Sequence, residues 1–222
     1  MLKKNPNVLD ADKFVTAGRE FYGIRKGDAG KFTDFGLIES IDITREDVKR
    51  TLTGNRRGLT ELYKEIIDQS TLTAVFQTAS TGDLAVREWF QGTIAIVTGA
   101  GTDEDDKIYA YESASKLATG GFIIVQSTQD SEGVAGRSLI RIFPDGSLQG
   151  TGNPDIQEFD GYEFTMTATK NKGFTPPASL GDFGTRKPDG FVYDVPNSLL
   201  DATLDTLSLA LATYVEAEPE AA

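Results

Sequence analysis

The chain has no cysteine, which excludes disulfides, thiolate nucleophiles and cysteine-based metal sites. It has no histidine either. The commonest general base near neutral pH and the commonest metal ligand are therefore both missing, and hydrolase triads fall away with them. No apolar run approaches the ~18 residues of a membrane-spanning helix. The opening MLKKNPNVLDADKF has an early lysine pair with no apolar stretch behind it, so no secretory signal is read there. Tryptophan occurs once, which leaves little for an exposed aromatic patch of the kind that grips carbohydrate. Basic charge is also scarce: 22 Lys and Arg stand against 34 Asp and Glu, a net charge of −12. Such a surface stays soluble and repels phosphates. It argues against wrapping or condensing DNA and suits a surface past which DNA slides without sticking.

What remains is a 222-residue chain, long enough for one large β domain or a domain with extended arms. Residues 1–31 are mixed and Gly-rich and read as an N-terminal arm. DFGLIESIDIT (34–44) alternates: Phe35, Leu37, Ile41 and Ile43 fall on one face, Ser40, Asp42 and Thr44 on the other, the pattern of a half-solvated strand. REDVKRTLTGNRRGLTELYKEIID (45–68) is a long charged excursion from the sheet, read as a protruding loop or a hairpin turning at Gly54-Asn55. STLTAVFQTAS (70–80) alternates again, with Leu72, Ala74 and Phe76 on one side. Residues 80–92 predict a short helix capped by Ser80 or Thr81, with Asp83 in its first turn and Gly92 at its end. Leu84, Trp89 and Phe90 are its packing residues, and Ala85 with Trp89 and Val86 with Phe90 form i, i+4 pairs.

GGFIIVQS (120–127) predicts a buried strand. RSLIRIFPDGSLQG (137–150) reads as a strand followed by a Pro-Asp-Gly turn. EFDGYEFTMTATK (158–170) has the clearest two-residue period, with Tyr162, Phe164, Met166 and Ala168 against Glu163, Thr165, Thr167 and Thr169. After residue 171 prolines concentrate in a stretch read as an extended linker. NSLLDATLDTLSLALATYV (197–215) fits a helical stripe and an alternating strand nearly equally, with its Leu and Ala content favouring the helix. Many short strands, Gly-rich turns and one clear helix predict a mainly β protein, an antiparallel sandwich or barrel with a short flanking helix, a protruding loop and terminal arms.

Three motifs invite sharper chemistry. TIAIVTGAG (93–101) followed by YESASK (111–116) resembles the nucleotide turn and Tyr/Lys pair of short-chain dehydrogenases. Counting from Gly99, however, the third glycine of Gly-x-Gly-x-x-Gly is Glu104, and carboxylates stand where pyrophosphate oxygens belong. Tyr111 and Lys116 are five apart where one helix face requires four. The run Asp103–Asp106 fails an EF-hand loop at its fifth, sixth and twelfth positions and reads as a solvated acidic loop. Arg56-Arg57 suits a salt bridge to an acidic neighbour better than a phosphate site.

The segments FTDFGLIESIDIT, the charged 45–68 loop, STLTAVFQTASTGDLAVREWFQG with Asp83-Leu84-Ala85, and FDGYEFTMTATK follow one another in an order that resembles the major tail (tail tube) proteins of long-tailed bacteriophages. The likeness covers about residues 32–170; residues 171–222 are left as a Pro/Gly-rich linker and C-terminal arm. It implies a structural virion subunit that assembles into hexameric rings stacked into a tube, with a negatively charged channel for DNA ejection. It also implies synthesis in the host cytoplasm and partners such as the tape measure, terminator and baseplate or initiator proteins. Neither catalysis, cofactor, metal nor membrane is expected. Within that expectation Lys49, Arg50, Arg56, Arg57, Glu61 and Lys64 are the candidate ring-stacking residues, and Glu39, Asp42 and Glu163 the candidate lumen acids. The inner tube of a contractile machine and a monomeric β-sandwich binding module remain the alternatives.

Overall fold

The computed structural model describes residues 16–27, 31–36, 38–56, 59–92, 94–99, 107–111, 117–128, 136–152, 161–184 and 188–217. The fold is mainly β and antiparallel. Strands β1 (Thr16–Arg25), β2 (Phe32–Asp34), β3 (Ile38–Arg56) and β4 (Leu59–Thr78) precede helix α1 (Leu84–Gln91). Then come β5 (Ile94–Thr98), β6 (Ile108–Tyr111), β7 (Ala118–Thr128), β8 (Arg137–Gly152), β9 (Tyr162–Ala168), β10 (Phe191–Pro196) and helix α2 (Leu200–Ala217). Eight strands form one sheet in the order β2-β1-β7-β8-β9-β4-β3, with β10 also paired to β8; β5 and β6 form a separate hairpin.

The sheet rolls round on itself. Although β1 and β3 are far apart in strand order, Arg19 Nη1 donates to the Glu39 carbonyl at 3.0 Å, and the Phe35 N–H donates to the Phe21 carbonyl at 3.0 Å. The interior this creates is aromatic. Phe21 stacks on Phe76 with ring centroids 4.0 Å apart, and Phe35 stands edge-on to Phe21, Phe76 and Phe164. Each such ring contributes about 1.5–3 kcal/mol by burial, with a further ~0.5–1.5 kcal/mol per well-placed aromatic pair.

Helix α1 closes one end of this interior. Asp83 is its N-cap, accepting from the Ala85 N–H at 2.8 Å, and the Gly92 N–H donates to the Glu88 carbonyl at its end. The sequence placed the cap at Ser80 or Thr81. The helix starts later because Thr78 and Ser80 are engaged elsewhere: Thr78 Oγ1 donates to the Phe35 carbonyl and accepts the Ser80 N–H. Gly36, at φ +68°, abuts Ser80 so closely that a Cβ there would lie 2.0 Å from its Oγ. Val86 and Trp89 are buried, and Trp89 Nε1 donates to Thr33 Oγ1 at 3.0 Å. Phe90 stacks on Tyr162. Leu84 is half-buried and Ala85 exposed, so the packing stripe is Val86, Trp89 and Phe90.

A second layer covers the outer face of β1, β7, β10 and the first half of β8. There Ile24, Ile123, Ile140, Ile142, Phe191 and Tyr193 pack under Phe174 and the α2 stripe Leu207, Leu211 and Val215. This settles the reading of residues 197–215 as helix: Leu209, which a strand would bury with Leu207 and Leu211, is 71% exposed. Leu211 comes so near the sheet that a Cβ on Gly121 would meet its Cδ1 at 2.7 Å.

Three expectations are corrected. Residues 16–25, read within an arm, form β1, an inner strand between β2 and β7. Phe21 belongs to one core and Ile24 to the other, so the strand has no alternation to betray it. The segment after 171 is not an extended arm: Phe174 and Asn171 are buried, β10 pairs with β8, and α2 lies on the sheet. Pro144-Asp145-Gly146 does not reverse the chain. There β8 bulges and exchanges β10 for β9 as its neighbour, and proline sits where no ladder N–H is required. Asp145 turns inward and is buried. Its Oδ2 accepts from the Lys172 N–H at 3.0 Å and the Tyr214 hydroxyl at 2.8 Å, and Lys26 Nζ stands 3.6 Å from Oδ1.

Candidate functional site

Outward-facing residues of four neighbouring strands make one continuous polar surface. Strand β3 contributes Ser40, Asp42 and Thr44, and β4 places Gln77, Val75 and Thr73 opposite them. Strand β9 adds Glu163, Thr165 and Thr167 in register with β4. The second half of β8 adds Ser147, Gln149 and Thr151. The alternate residues, including Phe76, Phe164, Met166 and Leu148, are fully buried in the core behind.

Hydroxyls dominate this face, and they bond to one another. Thr44 Oγ1 and Thr73 Oγ1 are 2.8 Å apart, and Thr151 Oγ1 donates to Glu163 Oε1 at 2.8 Å. No lysine or arginine stands among these positions, and the only carboxylates are Asp42 and Glu163. By strand spacing these two lie about 12 Å apart, beyond the ~8 Å Debye length at physiological salt. The face is therefore weakly negative and rich in short hydrogen-bonding groups with little conformational freedom. Glu39 is not part of it. It falls at a register irregularity between Ile38 and Ser40, where its carbonyl accepts from Arg19.

The second feature is the far part of the β3–β4 hairpin. Strand β4 pairs with β9 only over Leu72–Thr78, so beyond Arg45 and Leu72 the two strands pair with each other alone. The ribbon from Arg45 to Arg56 is about 35 Å long at ~3.3 Å per residue. The expected loop is thus a hairpin, and its tip lies between Arg56 and Leu59; Gly54 and Asn55 are paired within the strands. A two-stranded ribbon is marginal in water by itself. This one also exposes apolar side chains: Leu52 is 63%, Ile67 59%, Val48 58% and Ile66 41% exposed. Alternation and register put Val48, Arg50, Leu52 and Ile66 on one face.

Of the sequence candidates, Lys49 pairs with Glu65 at 3.0 Å across the ribbon and Arg50 is exposed opposite Ile66. Arg56, Glu61 and Lys64 lie on the same ribbon by backbone register; their side chains, and Arg57 altogether, are outside the described residues. The sequence reading missed the apolar face of Val48, Leu52 and Ile66. Its signal was the alternation V-x-R-x-L, hidden among charges that made the segment read as a loop. Strand β5, with its Gly99 turn, belongs to an antiparallel hairpin with β6 and not to a parallel strand–helix unit. Asp103–Asp106 and residues 112–116 lie outside the described residues.

Among the described residues no helix is long and apolar enough to cross a membrane. No protein-family model and no curated protein matches the chain.

Proposed function

We propose that this chain is a structural subunit that associates with copies of itself into closed rings and stacks those rings into a tube, in the manner of a phage tail tube. The observation that carries the reading is a solvated, hydroxyl-rich sheet face without basic residues, beside a ribbon that leaves the sheet with apolar side chains uncovered. The sheet face is the lumen wall. DNA passing such a wall meets no cationic side chain to hold its phosphates and slides over short hydroxyls that exchange water for water. The ribbon is the axial connector: head-to-tail contacts that close by rotation make rings, and those that do not close make filaments.

The subunit's role in this reading is mechanical. Lys49, Arg50, Arg56, Arg57, Glu61 and Lys64 serve the ring-to-ring contact, and Asp42 and Glu163 give the wall its slight negative charge. The test is negative-stain electron microscopy of the purified chain together with its mass in solution. Rings or tubes with a central hole are expected; a chain that stays monomeric at all concentrations contradicts the reading.

A further inference from the structure

The ribbon needs a partner surface, and the other side of the molecule offers one. Between α2 and the β1–β2 edge lies an open groove of about 340 Å³, lined by Tyr22, Phe32, Ile123, Leu204 and the rim residues Asp201 and Asp205. Its volume falls within the range of small binding clefts. The floor is aromatic and aliphatic, and the rim is acidic. Asp201 and Asp205 are exposed, one helical turn apart, and neither is in an ion pair among the described residues. Glu20, whose Oε2 accepts from the Tyr22 hydroxyl at 2.7 Å, adds a third carboxylate beside the floor residue Tyr22. Burial first, and then the carboxylates Glu20, Asp34 and Asp201, hold the Tyr22 hydroxyl well above its ordinary pKa.

A groove of this kind recognises a cation on an apolar stem, or basic and aliphatic side chains alternating along one segment. The ribbon is such a segment. From Lys49 to Lys64 it has five basic residues and one acidic residue in a chain of net charge −12, with Val48, Leu52 and Ile66 exposed alongside. We infer that the groove between α2 and β1–β2 receives the β3–β4 ribbon of a second copy, with Leu52 and its aliphatic neighbours on the Tyr22–Phe32–Leu204 floor and Arg50, from the same ribbon face, against Asp201 and Asp205. This rests on the self-assembly reading above and names the surface through which it acts.

The test uses the full-length chain in three variants: Asp201→Lys with Asp205→Lys, Arg50→Glu, and all three changes together. Association is measured by sedimentation velocity over a range of concentration and salt, with the melting temperature of each variant as a folding control. All three positions are exposed, so the fold should survive each change. The Asp201/Asp205 and Arg50 variants should each weaken association at least tenfold, and the combined variant should recover most of the loss. In wild type, zero-length carbodiimide crosslinking of mixed isotope-labelled and unlabelled chains should join Lys64 of one copy, the register partner of Leu52, to Asp201 or Asp205 of another. Wild-type assembly that is indifferent to the Asp201/Asp205 reversal, with no such crosslink, overturns the groove as partner and leaves self-assembly standing. A wild-type chain that does not associate overturns both.

Discussion

Replacing Asp145 with alanine should be the most damaging single polar substitution in the fold. The carboxylate is 2% exposed and sits at the bulge where β8 changes partners. It accepts from the Lys172 backbone and from Tyr214 on α2, and it faces the Lys26 ammonium, itself 10% exposed. Removing one member of a buried ion pair typically costs about 3–5 kcal/mol, because the remaining charge is left desolvated and unpaired. Lys26, Lys172 and Tyr214 each make a further interaction, which places the loss near the lower end, about 3 kcal/mol. For a chain of this size that is a fall in Tm of roughly 6–12 °C. Asp145→Asn keeps the shape and one acceptor oxygen, and should lose about half as much. Urea unfolding followed by the fluorescence of Trp89 gives the free energies, with exposed Asp47→Ala as the control that stays within ~0.5 kcal/mol. Because Tyr214 is the α2 partner, amide exchange in α2 should accelerate before that in α1. An Asp145→Ala protein within about 1 kcal/mol of wild type would refute the view that this carboxylate ties the bulge to α2.

Deleting residues 50–62 leaves Lys49 and Ile67, which are paired, joined through Tyr63–Ile66. The subunit should melt within a few degrees of wild type yet fail to form stacked rings; a large loss of Tm would show that the ribbon supports the core. Thr165 and Met166 are sequence neighbours on opposite faces of β9, so Thr165→Lys should fold normally and Met166→Lys should not, as read by circular dichroism and soluble yield. The Tyr193 hydroxyl is buried with no hydrogen-bond partner among the described residues, and burial raises its pKa to about 12. A pKa raised on folding means that the neutral form is favoured in the native state, so its contribution is complete below pH ~10 and is lost as pH rises towards 12. Tyr193→Phe should therefore match or exceed wild-type stability by about 1 kcal/mol at pH 7 and show a shallower decline above pH 10 in alkaline melts.

In β3 and β9, where one face of the strand is solvated, the sequence disclosed it. The alternation of Ser40, Asp42 and Thr44 with Ile41 and Ile43, and of Glu163, Thr165 and Thr167 with Phe164 and Met166, is the same division the fold uses. Strand β1 escaped because both of its faces are buried, Phe21 towards one core and Ile24 towards the other. Pro144-Asp145-Gly146 carries every local sign of a turn, but the bulge, the change of neighbour and the buried partners of Asp145 are tertiary facts that no local pattern contains. The ribbon's charges were visible and its apolar face was not, since a period of two is hard to see when Val48, Ile66 and Ile67 each stand beside a charged residue. The groove was illegible for a different reason. Its floor and rim come from β1, β2, β7 and α2, brought together only when the C-terminal helix returns to the sheet.

The most direct test of the structural-subunit reading is the mass and shape of the purified full-length chain, by sedimentation and negative-stain electron microscopy over a range of concentration and salt. The expected result is closed rings with a central hole that stack into tubes as concentration rises. A single species of 24.0 kDa under every condition, with no ring in any field, would contradict it.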